Sequence, residues 1–432
     1  MSESALAGIV GGALHSALGR NPKHIGVALS GGGDSTALLV ALHDHLAGQC
    51  PISAVTVDHG LRADAAVEAA AAADLCASLG VSHRILTLDG LEDGPNLQDR
   101  ARARRYAALA EWAQDVGVDA VLLGHTRDDV AEGFLLRLAR GSGVDGLAEM
   151  SAAQQRDGVL WLRPFLRTGR DDLRAYLIGR GIAWSDDPSN DDDRFDRVRM
   201  RKALPQLAEL GLTVDALADT ARHMRRARGA LDAQVVEWGE KYVQFDAGEV
   251  RLAHPLLTEA SSEISLRLLK DALCWVATAP YPPRFDGLAR VHEAAAKGEN
   301  STLHGCLILS ETGAAGFDTI VAREPKTLEG VTAATDQPWD KRWRFDGPHD
   351  PTLEVRALGV GGLTQCPDWR EVGRPRRQLL TSPAIWRGES LIAAPLAGLE
   401  NGWTCRIAET FLDRKRAELA FGRRPTGNSH AD

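Results

Sequence analysis

Residues 27–39 read VALSGGGDSTALL and place three consecutive glycines between two apolar segments. Residues 27–29 are typical of the end of a buried strand, and residues 35–42 carry apolar side chains at helical spacing. Because Gly31, Gly32 and Gly33 lack a Cβ atom, a ligand can approach the main chain closely. The unpaired amides and the dipole at the start of a helix favour an anion. The stretch therefore predicts a phosphate-binding turn between a strand and a helix.

Apolar segments alternate with helical patterns through the first two hundred residues. The segments IGVALS, ISAVTVDHG, HRILTL and DAVLLGH are separated by helical patterns near residues 35–47, 64–79 and 97–116. This alternation predicts βαβ units and a mostly parallel sheet that is covered on both faces. Ligands bind at the carboxyl ends of such strands. We therefore expect the glycine turn to share one edge with Asp58, His59 and His125.

The character of the sequence changes twice after this region. Residues 208–324 are interpreted as amphipathic helices with no intervening strands, whereas residues 325–432 have frequent Pro, Gly and Trp and only short apolar runs. The sequence therefore predicts three domains. These are an α/β domain over residues 1–207, a helical domain over 208–324, and a small α+β or β-rich domain over 325–432.

Composition limits the class of protein. The chain has 432 residues, of which 44% are hydrophobic and 25% charged, as in ordinary globular proteins. It has neither a long apolar run nor a signal-peptide pattern, so we expect a cytoplasmic protein without a membrane partner. Six dispersed cysteines without a Cys-x-x-Cys pair disfavour disulfides, zinc and iron–sulfur clusters. The net charge of −9 disfavours indiscriminate nucleic-acid binding but is compatible with local basic faces.

The glycine stretch can be assigned to a type of phosphate loop. It lacks the lysine of a GxxxxGK[ST] loop and the third glycine of a G-x-G-x-x-G turn. Residues 30–35, SGGGDS, instead resemble the SGGxDS loop of the ATP-pyrophosphatase (PP-loop) superfamily, whose members cleave ATP to AMP and pyrophosphate. The loop amides and the hydroxyls of Ser30 and Ser35 would hold the β- and γ-phosphates, and Asp34 would hold Mg²⁺ against them. The alternative is a plain glycine turn in which Asp34 caps the helix.

A second motif, GHTRDDVAEGFLLRLARGSGVDGL, spans residues 124–147. If a helix begins just after His125, then His125, Asp129 and Glu132 share one face at the same edge of the sheet. Two carboxylates there could bind an ammonium group or a metal, and His125 could stabilise charge or move a proton. Alternatively, the acidic side chains complement the helix dipole or are solvated. We prefer that alternative for Asp128 only.

Several motifs together resemble the tRNA(Ile)-lysidine synthase family. After SGGGDS come VDHGLR at 57–62, NLQ at 96–98 with AR and RY at 101–102 and 105–106, the motif at 124–143, and DPSN at 187–190. Their joint occurrence in this order is more specific than any one of them. The chain departs from the family where Val198 follows Arg197, because the family tends to have asparagine there.

The resemblance implies a Rossmann-like PP-loop catalytic domain and a two-step reaction. ATP first adenylates the wobble cytidine of a CAU anticodon, and free L-lysine then displaces AMP to give lysidine. Asp129 and Glu132 would orient the lysine ammonium, while Arg102 and Arg105 would lie near the base or the α-phosphate. The implied site residues are, for the chemistry, Asp34, Arg105, His125, Asp129 and Glu132, and for the nucleotide, Ser30, Gly31, Gly32, Gly33, Asp34, Ser35, Asp58 and His59.

Clustered arginines near the predicted domain boundary are candidates for contact with tRNA. Arg222, Arg225 and Arg226 have the spacing of one helical stripe, and a second cluster surrounds Arg197 and Arg201. A charge cluster is also typical of a solvated face, so both interpretations stay open.

Two rival functions share this nucleotide domain. A PP-loop tRNA thiolase would need cysteines near the predicted edge, but Cys50 and Cys76 lie outside the motifs. A catalytically inactive tRNA-binding scaffold would not need Asp34, His125, Asp129 and Glu132. The sequence leaves the oligomeric state open, with a homodimer among the alternatives.

Overall fold

The computed structural model describes residues 3–58, 65–88, 97–185, 196–279 and 281–422. The described residues form two compact units, one made of those up to residue 229 together with 420–422 and the other of those between 230 and 419. None of the helices in the described part of the chain has the length and apolar character that a bilayer-spanning segment requires.

The first unit contains a six-stranded sheet with the order β3-β2-β1-β4-β6-β5. Only β5 runs antiparallel to its neighbour, which confirms the predicted parallel sheet. The strands are β1 (Ile25–Ala28), β2 (Ile52–Asp58), β3 (Ser82–Thr87), β4 (Ala120–Leu123), β5 (Ala153–Arg156) and β6 (Val159–Leu162).

Helices cover both faces of this sheet. One apolar cluster joins it to the first two helices and the seventh, through residues such as Leu6, Leu38 and Leu177. Another joins the opposite face to the fourth helix, through Leu109 and Trp112. The helices described between residues 3 and 242, whether or not they pack on this sheet, are α1 (Glu3–Leu18), α2 (Gly33–Leu46), α3 (Ala65–Ser78), α4 (Leu97–Val116), α5 (Arg127–Leu138), α6 (Val144–Leu147), α7 (Arg170–Gly179), α8 (Asp196–Glu209) and α9 (Val214–Tyr242).

The topology fixes where a ligand can bind. β1 pairs with β2 on one side and with β4 on the other, so the strand order reverses at β1. In open α/β sheets a crevice forms outside the carboxyl ends of the strands at such a point. The glycine turn after β1 and the motif after β4 both lie at this crevice.

The prediction of a helical region without strands over residues 208–324 is wrong. A five-stranded antiparallel sheet with the order β7-β8-β11-β10-β9 lies beside the helices of this region. Its first hairpin turns at Ala247 and Gly248, which have φ angles of +47° and +86°. Such a two-residue turn joins strands too short to give a long alternating pattern. The elements are β7 (Val243–Asp246), β8 (Glu249–Leu252), α10 (His254–Thr258), α11 (Ser262–Ala277), α12 (Phe285–Ala296), β9 (Ser301–Leu303), β10 (Cys306–Gly313) and β11 (Gly316–Arg323).

The β-rich character predicted for the last hundred residues is confirmed. One sheet has the order β12-β14-β15-β16, and β13 pairs with β17. Trp339 and Trp403 are fully buried in the associated core. The elements are β12 (Ala333–Ala334), β13 (Trp343–Asp346), β14 (Glu354–Ala357), α13 (Gly359–Leu363), α14 (Arg376–Thr381), β15 (Pro383–Arg387), β16 (Ser390–Ala393), β17 (Thr404–Ile407) and α15 (Phe411–Gly422).

Candidate active site

The glycine stretch forms a tight turn between β1 and α2. Gly31 has a φ of +81°, in the left-handed region that glycine tolerates. Gly32 caps α2, and the Ser35 hydroxyl donates to the carbonyl oxygen of Gly32 at 3.0 Å. The same hydroxyl accepts the backbone N–H of Ser30 at 3.1 Å. Asp34 lies inside the first turn of the helix, so the alternative that Asp34 is the cap is wrong.

The start of α5 is fixed by a reciprocal cap. The backbone N–H of Thr126 donates to Asp129 Oδ2 at 2.8 Å, and the Thr126 hydroxyl donates to the same oxygen at 3.0 Å. In return, Thr126 Oγ1 accepts the backbone N–H of Asp129 at 3.4 Å. This capping box satisfies backbone donors that a helix start leaves open. One oxygen of Asp129 is therefore used to hold the helix, and Oδ1 is left for other partners.

Glu132 is a buried carboxylate one turn further along α5. Its residue surface is 0% exposed, which is rare for glutamate unless the charge is paired. Glu132 Oε1 accepts from Arg201 Nε at 2.8 Å and from Arg170 Nη1 at 3.3 Å. In the described part of the chain, Glu132 Oε2 has no hydrogen-bond partner. This oxygen is an unused acceptor at the carboxylate pair.

Arg170 joins the three predicted carboxylates. Its Nε donates to Asp34 Oδ2 at 3.1 Å, its Nη1 reaches Glu132 Oε1 at 3.3 Å, and its Nη2 lies 3.6 Å from Asp129 Oδ1. The side chain of Arg170 is only 15% exposed. The structure therefore brings Asp34, Asp129 and Glu132 around one guanidinium, at the edge where the sequence predicted them.

Arg170 was not among the site residues predicted from the sequence. Arg170 is the first residue of α7, after β6, and its backbone N–H donates to Asp128 Oδ2 at 2.8 Å. The available signal was the apolar run VLWL at 159–162, which forms the next parallel strand beyond β4. The loop after that strand reaches the same edge of the sheet. Asp128 thus anchors Arg170, in addition to lying in the first turn of α5.

The carboxylates differ in their electrostatic surroundings. Burial raises the pKa of Asp34 above its usual value, and Arg170 opposes part of this rise. Burial also tends to raise the pKa of Asp129, but the Arg170 guanidinium, the hydrogen bond from the Thr126 N–H and other nearby positive charge together outweigh it and hold that pKa below its usual value. Burial disfavours the charge on Arg170 as well, yet the three carboxylates keep the pKa of its guanidinium above the usual range. A neighbouring cation therefore stabilises the ionised form of Asp34.

His125 is a neutral imidazole in this environment. Burial lowers its pKa to about 3, and the nearby positive charges of Arg163 and Arg102 act in the same direction, although Asp129 opposes them. His125 Nδ1 is buried and has no hydrogen-bond partner in the described residues. At neutral pH His125 therefore offers a hydrogen-bonding group rather than a positive charge.

Arginine side chains contribute positive charge near His125. Arg102 is exposed, with its guanidinium carbon 5.2 Å from the centre of the Tyr106 ring, whereas Arg105 is half-buried and burial lowers its pKa. Arg163, which was not predicted from the sequence, is buried and donates to the carbonyl oxygen of Ser151 at 2.8 Å. The histidine thus lies beside a positively charged region.

The other candidate arginines occupy different settings. Arg201 reaches Glu132 inside the site, whereas Arg197 is exposed. Arg222 pairs with Asp219 at 2.8 Å, and Arg225 donates to the carbonyl oxygen of Met150 at 3.1 Å. Arg226 is exposed. Contact of these arginines with tRNA stays a prediction.

One predicted residue ends a strand, and two other predicted features lie outside the described residues. Asp58 ends β2 and is half-buried, whereas His59 and the DPSN segment at 187–190 lie outside the described residues. Val198, which stands where the family tends to have asparagine, is buried in α8. An apolar side chain suits that buried position.

The fit of a magnesium ion depends on Asp34. In the described ranges, no group of three or more His, Cys, Asp or Glu side chains could hold a metal by itself. Mg²⁺ commonly binds one or two carboxylates together with substrate phosphates. Asp34 fits that pattern, because it lies at the glycine turn and its buried carboxylate is stabilised in the ionised form by a nearby positive charge.

The fold and the site define a class of protein. A parallel sheet carries a glycine turn after its central strand, and carboxylates lie at the same edge. The chain matches the PP-loop domain family over residues 11–208. It is thus an ATP-binding protein of the PP-loop type.

Relatives identify the family more narrowly. A tRNA(Ile)-lysidine synthase from Ruegeria pomeroyi is 43% identical, over 89% of this chain and 91% of the relative. Another tRNA(Ile)-lysidine synthase, from Brucella anthropi, is 33% identical over 86% of this chain and 85% of the relative. The chain belongs to the tRNA(Ile)-lysidine synthase family. Among solved structures, U34-tRNA thiolase NcsA from Methanococcus maripaludis is 17% identical, over 52% of this chain and 79% of the thiolase, with a TM-score of 0.44.

Proposed function

We propose that this chain ligates free L-lysine to C2 of the wobble cytidine in a tRNA(Ile) with a CAU anticodon. ATP is converted to AMP and pyrophosphate, and the product is lysidine, which changes decoding from AUG to AUA. The observation that carries this proposal is the placement of Asp34 of the glycine turn and Glu132 of α5 on the same guanidinium. A nucleotide site and an amine site then lie side by side. Action on tRNA also implies a cytoplasmic location.

The glycine turn supports the activation step. The C2 oxygen of cytidine attacks the α-phosphorus of ATP, and pyrophosphate leaves with its negative charge. Amides at the start of α2 and the Ser30 hydroxyl would bind this leaving group, because preorganised donors stabilise developing charge. Mg²⁺, held by Asp34 when bound, would supply further neutralisation of the phosphates. Neutral His125 would donate or accept a hydrogen bond near the reacting oxygen.

The carboxylates of α5 support the ligation step. The ε-ammonium of lysine carries three donors, and Asp129 Oδ1 with Glu132 Oε2 offers two acceptors that the cap and Arg201 do not use. The ammonium loses a proton to solvent, the amine attacks C2 of the adenylated cytidine, the C–N bond forms, and the C2–O bond breaks as AMP leaves. Burial of Glu132 makes such an ammonium contact stronger than it would be in water.

The arginines around the site support an RNA substrate. Bases in an RNA loop are splayed out and bound through their edges and phosphates. Arg102 and Arg197 are exposed, and their charges lower the pKa of His125, so both lie near the site. They are the candidates for contact with the anticodon loop. The net charge of −9 favours binding through this local basic surface rather than through the whole protein.

One assay tests the proposal against its rivals. Purified protein is incubated with unmodified CAU tRNA, ATP, Mg²⁺ and either labelled lysine or a labelled sulfur donor. Incorporation of lysine, dependent on ATP, is expected. Incorporation of sulfur alone would instead indicate a thiolase, and binding of tRNA without turnover would indicate a scaffold. The thiolase is disfavoured because Cys50 precedes β2 at the opposite edge, and burial raises the pKa of the Cys76 thiol to about 11.

A further inference from the structure

Arg170 has the geometry of a shared counter-ion rather than of one optimised ion pair. Its contacts with Asp34, Glu132 and Asp129 measure 3.1, 3.3 and 3.6 Å. Optimised charge-assisted hydrogen bonds of this type are shorter, about 2.7–2.9 Å. One guanidinium is thus divided among three carboxylates of α2 and α5. Each contact is therefore weak enough for a substrate group to replace it.

The backbone of Arg170 is held while its side chain can change partners. Its N–H donates to Asp128 Oδ2 at 2.8 Å, and it is the first residue of α7. A rotation about side-chain bonds would therefore move the guanidinium without moving the helix. The long, flexible arginine side chain makes such an exchange of partners possible.

Both substrates would favour movement of this guanidinium away from Asp129 and Glu132. A triphosphate at the glycine turn would place negative charge next to Asp34 and attract Arg170. A lysine ammonium would compete with Arg170 for Asp129 Oδ1 and Glu132. In the structure, the guanidinium occupies the position between these two carboxylates.

We infer that Arg170 is an exchangeable counter-ion that couples the binding of the two substrates. Without nucleotide, its guanidinium occupies the ammonium site between Asp129 and Glu132. When ATP binds, the guanidinium turns to the phosphates and leaves that site to the substrate. Arg170 is then a positioning residue that orders the binding of ATP before lysine. This inference rests on the proposed lysine-ligating function.

Calorimetric titration with lysine, with and without a non-hydrolysable ATP analogue and Mg²⁺, tests the coupling. For the wild-type protein we expect the analogue to raise lysine affinity at least about fivefold, the lower end of typical coupling between sites. For Arg170→Gln we expect lysine to bind without the analogue at least as tightly as it binds to the wild type with the analogue. The analogue should then change the lysine affinity of this variant less than about twofold, because the two binding sites are no longer coupled.

A matched variant separates this role from a general effect on α7. Arg180 follows the same helix and pairs with Asp44 at 2.6 Å, away from the three carboxylates. Arg180→Gln should keep the wild-type dependence on the analogue. If Arg170→Gln does not fold, Arg170→Lys provides the comparison, because the shorter side chain cannot span Asp34 and Glu132 together and the dependence should fall.

The outcomes separate this inference from the proposed function. Unchanged dependence on the analogue in the Arg170 variant, or none in the wild type, would overturn the inference and leave the ligase function standing. Absence of lysine binding in every form, with the analogue present, would overturn both.

Discussion

A Cβ atom on Gly124 would lie 3.0 Å from both the backbone nitrogen and the Cα of Ser35. The end of β4 therefore packs directly against the start of α2, next to the glycine turn. Gly124→Ala should displace that turn, destabilise the fold by about 1–3 kcal/mol and weaken ATP binding. Thermal unfolding and nucleotide titration measure the two effects.

Gly8→Ala is the matched control for this variant. Gly8 lies inside α1, and a Cβ atom there would meet nothing within 4 Å. Alanine in a helix interior is more favourable than glycine by up to about 1 kcal/mol. Gly8→Ala should be at least as stable as the wild type and bind ATP normally. Equal nucleotide affinity in the two variants would contradict the packing argument.

His125 should make stability depend on pH. Its pKa is about 3 in the folded chain, whereas an unfolded histidine titrates near about 6.5. Between these values the unfolded chain binds more protons, so the folded state loses stability as pH falls through this window. Between pH 7 and pH 5 the wild type should lose about 2 kcal/mol more than His125→Gln.

Chemical denaturation of both proteins across this range measures the difference. The same pH dependence in wild type and variant would show that the folded chain does not lower the pKa of His125. Activity offers a second readout, because a neutral His125 leaves no titration of this residue in the pH–rate profile near neutrality.

The fold was largely predictable from the sequence because parallel strands that are buried on both faces consist of continuous apolar residues. All four residues of β1 and of β4 are buried, and IGVALS and DAVLLGH show it directly. Asp129 and Glu132 were predictable because helical spacing alone places them on one face. These features depend on residues close together in the chain.

Arg170 and the second antiparallel sheet depend on contacts that spacing does not encode. The contact between Arg170 and Asp34 joins residues 136 positions apart. It arises only because β6 pairs with β4. Strands such as β7 have four residues and one buried position, so they leave little alternation to detect. The local sequence around Arg201 likewise gave no sign that its guanidinium reaches Glu132 at 2.8 Å.

Arg197 should contribute to tRNA binding through charge. It is exposed at the start of α8, and its positive charge lowers the pKa of both His125 and Asp129. Arg197→Gln should weaken tRNA binding and reduce the slope of log affinity against log salt by about 1. Filter binding over a salt series measures this slope.

Arg20→Gln is the control for this charge effect. Arg20 pairs with Asp119, which precedes β4 at the opposite edge of the sheet. Its removal changes the net charge equally but should leave tRNA binding unchanged. A matching loss of affinity in Arg20→Gln would show that Arg197 acts only through net charge.

The central claim is that the glycine turn activates the RNA while the α5 carboxylates receive the amine. The most direct measurement follows tRNA-dependent pyrophosphate release and lysine incorporation together in Asp34→Asn and Glu132→Gln. Asp34→Asn should lose both and keep its tRNA affinity, whereas Glu132→Gln should retain pyrophosphate release and lose lysine incorporation. Parallel loss of both activities in Glu132→Gln, or lysine transfer at the wild-type rate, would contradict the account.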